Sequence, residues 1–143
     1  MQKLIGINYQ KILKKNMLNV LKDILKEISK NGLTSNNLIY VTFLTNHKGV
    51  KLPKWLKDKY PNDITIVIQY EYYNLVVDKN SFSLNLSFNN KRTNIVVGFD
   101  SVISFADPSA NFGLKIKDNK NLNKEKKTKI KNNVIDFSNF KKN

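Results

Sequence analysis

The sequence predicts a mainly β domain that begins with one α-helix and carries a disordered C-terminal tail. Three observations support this prediction. Apolar residues recur at helical spacing near the N-terminus, they alternate with polar residues over most of the chain that follows, and both patterns stop at residue 118. The expected organisation is a folded domain over residues 1–117 and a flexible tail over residues 118–143.

The first pattern predicts an α-helix over residues 7–30. Apolar residues follow spacings of three and four at Leu13, Met17, Val20, Leu21, Ile24, Leu25 and Ile28. Gly32 should end the helix, because glycine readily adopts the left-handed conformation that follows a helix C-terminus. The apolar stripe is wide, and this leaves two alternatives open. The stripe packs on its own domain, or part of it pairs with a second subunit.

The second pattern predicts five or six antiparallel strands. They are expected at residues 37–45, 64–77, 81–89, 93–107 and 111–117, with short polar turns between most of them. The strand at 81–89 alternates most clearly, with Phe82, Leu84, Leu86 and Phe88 on the core face. The segment 100–107 allows a brief helical turn before the last strand. A small barrel or a two-sheet β-sandwich would bury the apolar faces of these strands.

Composition limits the possible chemistry. The net charge is +14, with 25 Lys and Arg residues against 11 Asp and Glu residues, and this raises the question of an anionic partner. Arg92 is the single arginine, however, and the abundance of Lys, Asn and Ile is typical of an AT-rich genome. The charge is therefore interpreted as mainly surface composition. Because the chain has no cysteine and one histidine, we expect no metal ion and no cofactor.

No pattern in the sequence indicates an active site. His47 lies in a polar loop without a nucleophile motif, and Asp58 and Asp63 flank a turn at Tyr60–Pro61. The chain contains no phosphate-binding loop and no apolar run long enough to span a membrane, and its N-terminus does not resemble a signal peptide. We therefore expect a cytoplasmic protein that is not an enzyme and has no catalytic residues.

Four strings of the sequence resemble, in matching order, the SspB family of specificity-enhancing adaptors of the ClpXP protease. They are YVTFLT, GVKLPKWLKDKYPNDITIVIQYEYYNL, FSLNLSFNNKRTNIVVGFDSVISFADPSANFGLKI and VIDFSNFKK. The blocks YPNDITIVIQ and FADPSANFGL are the most specific, and the likeness is strongest to the alpha-proteobacterial branch. The resemblance covers about residues 10–117 and resumes in the last ten residues.

The resemblance implies an Sm-like β fold and a non-catalytic function. Members of the family bind the ssrA tag of stalled translation products in a groove and deliver the tagged protein to ClpXP. In this chain it implies tag contacts by Gln69, whose side chain offers both a donor and an acceptor. Further implied contacts are Ile68, Tyr70, Tyr72, Phe112 and Gly113. Without the resemblance, Gln69 is interpreted as an ordinary strand residue that faces water.

The resemblance also implies a homodimer formed through the N-terminal helix. The residues expected at this dimer interface are Leu13, Met17, Val20, Leu21 and Ile24.

In the last residues of the chain, the resemblance implies a docking motif for the N-terminal zinc-binding domain of ClpX. The motif consists of Val134, Ile135, Phe137, Phe140, Lys141 and Lys142. The family usually has a leucine and an arginine where this chain has Phe137 and Lys141, and lysine lacks the bidentate fork of arginine. The preceding spacer of residues 118–133 has a typical reach of about 20–24 Å if it behaves as a flexible coil.

A rival interpretation is a small, basic, Sm-like RNA-binding protein, and a third is a structural subunit with an unrelated partner. RNA binding would require aromatic stacking platforms with arginine nearby, and Arg92 is the single arginine. The expected partners are therefore ssrA-tagged proteins, ClpX and a second copy of the chain. We expect neither a membrane nor a nucleic acid as a partner.

Overall fold

The computed structural model describes residues 6–33 and 36–117. In this part of the chain, an N-terminal helix precedes two antiparallel β-sheets. The predicted disordered tail and its docking residues, from Val134 to Lys142, lie outside the described residues.

Helix α1 spans Tyr9–Asn31, within two residues of the predicted ends, and confirms the helical prediction. The Asn8 side chain accepts a hydrogen bond from the backbone N–H of Lys11 at 3.0 Å and caps the first turn. Gly32 follows the helix with a φ of 78°, and its N–H donates to the carbonyl of Ile28 at 2.8 Å. The residues that α1 buries are Met17, Leu18, Leu21, Leu25 and Ile28.

Seven strands follow α1 in the described part of the chain. They are β1 (Ile39–Leu44), β2 (Asp63–Ile68), β3 (Tyr73–Val77), β4 (Ser81–Phe88), β5 (Lys91–Gly98), β6 (Val102–Asp107) and β7 (Phe112–Lys115), with a short helix α2 (Lys54–Lys59) between β1 and β2. The four-stranded sheet has the order β2-β1-β6-β7 and the three-stranded sheet the order β3-β4-β5. The two sheets do not close into a barrel. The prediction of a two-sheet arrangement is therefore confirmed, and the alternative prediction of a closed barrel is wrong.

The predicted strand at 64–77 is in fact two strands that belong to different sheets. β2 ends at Ile68 and β3 begins at Tyr73, so residues 69–72 carry the chain from one sheet to the other. The link contains no glycine or proline, and its aromatic residues continue the strand-like pattern. This is why the break is hidden in the sequence and why the predicted number of strands was too low.

The chain returns to the four-stranded sheet through a short 3₁₀ helix at Phe99–Ser101, between β5 and β6. The Ser101 hydroxyl donates to the carbonyl of Gly98 at 2.7 Å and fixes this turn. A second 3₁₀ helix at Pro108–Ala110 separates β6 from β7. The expectation of a brief helical turn near the end of the domain is thus confirmed, and the predicted strand at 93–107 is divided into two.

One continuous core joins α1 to both sheets. The predicted alternation in β4 is confirmed, since Phe82, Leu84 and Leu86 are buried while Phe88 is half-buried. The Phe82 ring packs against Phe99 with a centroid distance of 5.5 Å. On the helix side, the Ser29 hydroxyl donates to the carbonyl of Leu75 at 3.1 Å and ties α1 to β3. In residues 6–33 and 36–117, no helix has the length and apolar character that crossing a bilayer requires.

Candidate functional site

An open pocket of about 380 Å³ lies between β2, an edge strand of the four-stranded sheet, and the end of β4, the central strand of the three-stranded sheet. We call it the edge-strand pocket. Three chain segments line it, namely the end of β2, the link after β2 and the end of β4. The lining residues are Thr65, Ile66, Val67, Gln69, Tyr70, Glu71, Leu86, Ser87 and Phe88.

The pocket borders a strand edge that no other described strand covers. β2 is the outermost strand of its sheet and pairs along its whole length with β1, from Leu44 opposite Asp63 to Ile39 opposite Ile68. Every second backbone N–H and C=O of such a strand points away from the sheet. An extended peptide can pair with these groups, and a pocket beside them can receive its side chains.

Gln69 and Tyr70, for which the resemblance implies tag contacts, both line this pocket. Their contact with a tag stays a prediction. Both follow directly on the last residue of β2, so the strand positions their backbone. Gln69 is half-buried, while the Tyr70 side chain is 80% exposed. A half-buried amide beside an open strand edge can donate to one backbone group and accept from another.

Ile68 and Tyr72, which were also predicted as tag contacts, do not line this pocket. Ile68 has 0% of its surface exposed and lies in the core opposite Ile39. Tyr72 is partly buried and packs against the same core. These two residues hold the ends of the link at 69–72 in place, and in this conformation neither side chain faces the pocket.

Phe112 and Gly113 lie at the opposite edge of the four-stranded sheet from Gln69. They belong to β7, which is separated from β2 by two intervening strands. With neighbouring strands about 4.8 Å apart, the two edges are about 14 Å apart. Gly113 is buried opposite Ala106, and the Phe112 ring contacts Phe105 at a centroid distance of 6.3 Å. The structure therefore separates these two predicted contacts from the edge-strand pocket.

Sequence reasoning missed the contribution of β4 to the pocket. Leu86, Ser87 and Phe88 close one side of it, just before a two-residue turn in which Asn89 and Asn90 have φ values of 54° and 66°. The alternation in β4 identifies Ser87 as outward-facing, but it does not show which strand of the other sheet lies opposite. That proximity depends on how the two sheets pack.

The residues predicted for a dimer interface divide into two groups. Met17 and Leu21 are buried in the domain's own core. Leu13 and Val20 remain 43% and 37% exposed, and Ile24 is half-buried. At about 100° per residue, these three lie on one flank of the buried stripe of α1. The dimer stays a prediction. Of the residues predicted for its interface, those on this flank are accessible to a second subunit.

Cations cover two of the exposed aromatic rings, Tyr73 in β3 and Trp55 in α2. The guanidinium of Arg92 lies 3.7 Å from the ring centroid of Tyr73, and the Lys91 amine lies 5.1 Å from that of Trp55. Bases that stack on these rings would have to displace the cations. This arrangement does not favour the alternative of RNA recognition on this face.

The residues first considered for catalysis have structural contacts. His47 Nδ1 accepts a hydrogen bond from the backbone N–H of Gly49 at 2.9 Å, which stabilises a turn. Asp58 pairs with Lys54 at 3.2 Å across one turn of α2, and Asp63 begins β2. No group of three or more potential metal ligands is found among the residues that the structure describes.

Two packed sheets, an N-terminal helix and an open pocket along an edge strand define a class of domain that can bind an extended peptide by strand addition. A model of the family described as SspB, stringent starvation protein B, matches residues 11–141, and the chain therefore belongs to the SspB family. This is a family of non-catalytic adaptors. The chain matches no curated protein.

Proposed function

We propose that this protein is an adaptor that binds the ssrA tag in the edge-strand pocket and delivers tagged proteins to the ClpXP protease. The observation that carries the proposal is the position of Gln69 and Tyr70 in a pocket beside the outer edge of β2, which pairs with no other strand in the described part of the chain. Membership of the SspB family supports the same function.

The geometry favours recognition of an extended peptide. The edge of β2 can supply backbone hydrogen bonds, which act on any sequence, while the pocket selects among side chains. Gln69 is placed to bond one amide or carbonyl of the tag, and Leu86 and Phe88 supply an apolar surface opposite it. No covalent step is involved, because the adaptor changes only the local concentration of its cargo at the protease.

In the proposed mechanism, the tail delivers what the pocket holds. The motif from Val134 to Lys142 binds the zinc-binding domain of ClpX, and the spacer 118–133 lets the folded domain follow its cargo. A short segment that becomes ordered on binding has a modest affinity. Two tails on one dimer would raise the apparent affinity without any new contact, since the second binding event becomes intramolecular. The exposed flank of α1 around Leu13 and Val20 is the proposed dimer contact.

Fluorescence anisotropy of a labelled ssrA peptide tests the pocket. We expect Gln69→Ala to weaken binding by about tenfold, since a buried hydrogen bond to a peptide is typically worth 1–2 kcal/mol. The matched control is Gln10→Ala, because Gln10 is exposed at the start of α1 and outside the pocket. An unchanged dissociation constant for Gln69→Ala in a folded protein would remove Gln69 from the site.

A deletion of residues 130–143 tests delivery separately from binding. The shortened protein should bind the ssrA peptide as the full chain does, but it should no longer accelerate the degradation of a tagged substrate by ClpXP. Full acceleration by the shortened protein would contradict the proposed role of the tail.

A further inference from the structure

A second cavity, of about 540 Å³, lies at the other end of β1 from the edge-strand pocket. The edge-strand pocket adjoins the link after Ile68, and Ile68 pairs with Ile39, the first residue of β1. The second cavity adjoins the loop 47–49, which follows the last residue of β1. Its other walls are residues 11–22 of α1 and the turns at 79–80 and 98–100. We call it the lysine pocket.

Six lysines from three separate chain segments line this pocket. Four come from α1, one from the loop after β1 and one from the turn before β4: Lys11, Lys14, Lys15, Lys22, Lys48 and Lys79. Of the described residues that line it, Asp100 alone is acidic. The fold therefore concentrates positive charge in one concave site, and lysines that are distant in the sequence become neighbours there.

A seventh amine stands beside the lysine pocket. Lys117 Nζ donates to the backbone carbonyl of Asp100 at 2.6 Å. Burial lowers the pKa of Lys117, and the nearby charge of Lys14 lowers it further, while Asp100 acts in the opposite direction. The positive groups thus repel one another in the folded protein. An anion in the pocket would relieve this repulsion and would stabilise the folded state.

Closely packed backbone segments form the floor of the pocket. A Cβ on Gly98 would lie 3.1 Å from the Cα of Gly49, so the two backbone segments approach more closely than other residues would allow. His47 Nδ1 accepts from Gly49 N–H, so in the neutral ring Nε2 carries the proton and can donate to an anion. The Phe99 ring is buried under Lys22, whose amine is 5.1 Å from its centroid.

We propose that the lysine pocket binds a condensed phosphate, an anion with several linked phosphate groups. Amines distributed around a cavity match charges that are distributed along such a chain, and lysine binds phosphate as a point charge without the fork of arginine. The volume is that of a site for a small molecule. Because Phe99 is covered, the pocket offers no open ring on which a base could stack, which favours the bare phosphate chain over a nucleic acid.

This site is independent of the proposed adaptor function. Three lysines of α1, namely Lys11, Lys15 and Lys22, lie on the opposite flank of the buried stripe from Leu13, Val20 and Ile24, as the helical spacing of 100° per residue requires. Lys14 is half-buried and lies in line with the buried stripe, away from the same apolar flank. A dimer formed through that apolar flank leaves this side of the helix open. The pocket also shares no residue with the edge-strand pocket.

Isothermal titration calorimetry of the full chain with inorganic tripolyphosphate, at about 150 mM salt to screen diffuse attraction, tests the proposal. We expect saturable binding that Lys14→Gln/Lys48→Gln weakens by about tenfold or more, since two charged contacts are lost. The control, Lys26→Gln/Lys57→Gln, removes the same charge from exposed positions outside the pocket and should weaken binding less than about twofold. Circular dichroism checks folding, and Lys11→Gln/Lys79→Gln replaces the first variant if that one is unfolded.

Three results would overturn the proposal. One is the absence of binding by the unmodified chain at this salt concentration. Another is an equal loss of affinity in the pocket and control variants, which would show attraction to net charge alone. The third is a single-stranded oligonucleotide that displaces tripolyphosphate at a lower concentration, because the pocket would then be part of a nucleic-acid surface.

Discussion

The edge-strand pocket and the lysine pocket differ in how the fold builds them. Backbone geometry makes the first, because a strand edge that no other described strand pairs with lies beside the end of a strand from the other sheet. None of the described residues that line this pocket is basic. Side-chain charge makes the second, with six lysines around one carboxylate. The high net charge of this chain therefore does not indicate where the proposed peptide-binding site lies. The two sites can therefore be perturbed separately.

The largest expected effect is a loss of stability at Phe82, a core residue that lies between the two pockets. Phe82 is fully buried in β4, whose far end lines the edge-strand pocket, and its ring packs on Phe99 beneath the lysine pocket. Phe82→Ala should lower the free energy of unfolding by about 3–5 kcal/mol, because it leaves a cavity in the core. Urea denaturation measures this change. Phe82→Leu keeps most of the volume and should cost less, and equal stability of both variants would contradict close packing at this position.

Filling the edge-strand pocket should weaken peptide binding without changing anion binding at the lysine pocket. Ser87 faces outward at the pocket, and Ser87→Trp should weaken ssrA-peptide binding by about a hundredfold, equivalent to about 2.7 kcal/mol, because the indole occupies the space of a peptide side chain. Tripolyphosphate binding should stay unchanged. Ser83→Trp is the matched control, since Ser83 lies on the same face of β4 but outside the pocket. A similar loss in both tryptophan variants would place the peptide elsewhere.

Ionic strength should separate the two sites by their chemistry. Raising salt from about 50 mM to about 200 mM should weaken tripolyphosphate binding by about tenfold, because several charge contacts are screened. The affinity for the ssrA peptide should fall less, since backbone hydrogen bonds and apolar contacts dominate a pocket without basic lining residues. Parallel titrations at the two salt concentrations measure both slopes. Equal slopes would mean that the net charge of the protein governs both interactions.

The smallest expected effect concerns the pH dependence of stability. The pKa of Lys117 is lowered in the folded protein, so the unfolded chain binds more protons as pH approaches the ordinary lysine value of 10.5. Stability should therefore rise with pH in the range below that value. Lys14→Gln removes one cause of the lowered pKa and should flatten this rise by less than about 1 kcal/mol, given the partial exposure of both groups.

Thermal unfolding midpoints between neutral pH and pH 10 measure this slope, with Lys26→Gln as the control for a lysine of α1 outside the pocket. Identical pH profiles for the two variants would show that Lys14 does not act on Lys117.

Local patterns predicted the helix and the strands better than they predicted which strands pair with one another. The periodicity of α1, its end at Gly32 and the alternation of β4 were readable because each depends on residues close in the chain. The break between β2 and β3 at residues 69–72 could not be predicted in this way, since Gln69 and Tyr72 carry no turn signal. Its cause is tertiary, because the chain must leave one sheet and enter the other at this point.

The candidate site was predictable in part for the same reason. The resemblance to the SspB family identified Gln69 and Tyr70, and the structure places both in one pocket. It also grouped Phe112 with them, although β7 lies at the far edge of the sheet. The order of strands in a sheet depends on pairing between distant segments, which a single sequence does not display.

By itself, the sequence determined the helix, the strand alternation, the absence of cysteine and the family to which the chain belongs. These properties reside in residue identity and in spacing along the chain. Only the tertiary structure decided that one edge of β2 is paired with no strand of residues 6–33 and 36–117, that the end of β4 lies near it, and that lysines from α1 and two loops surround one cavity. Such features arise when core burial brings remote segments together, and the packing of the two sheets and the helix sets which surfaces meet.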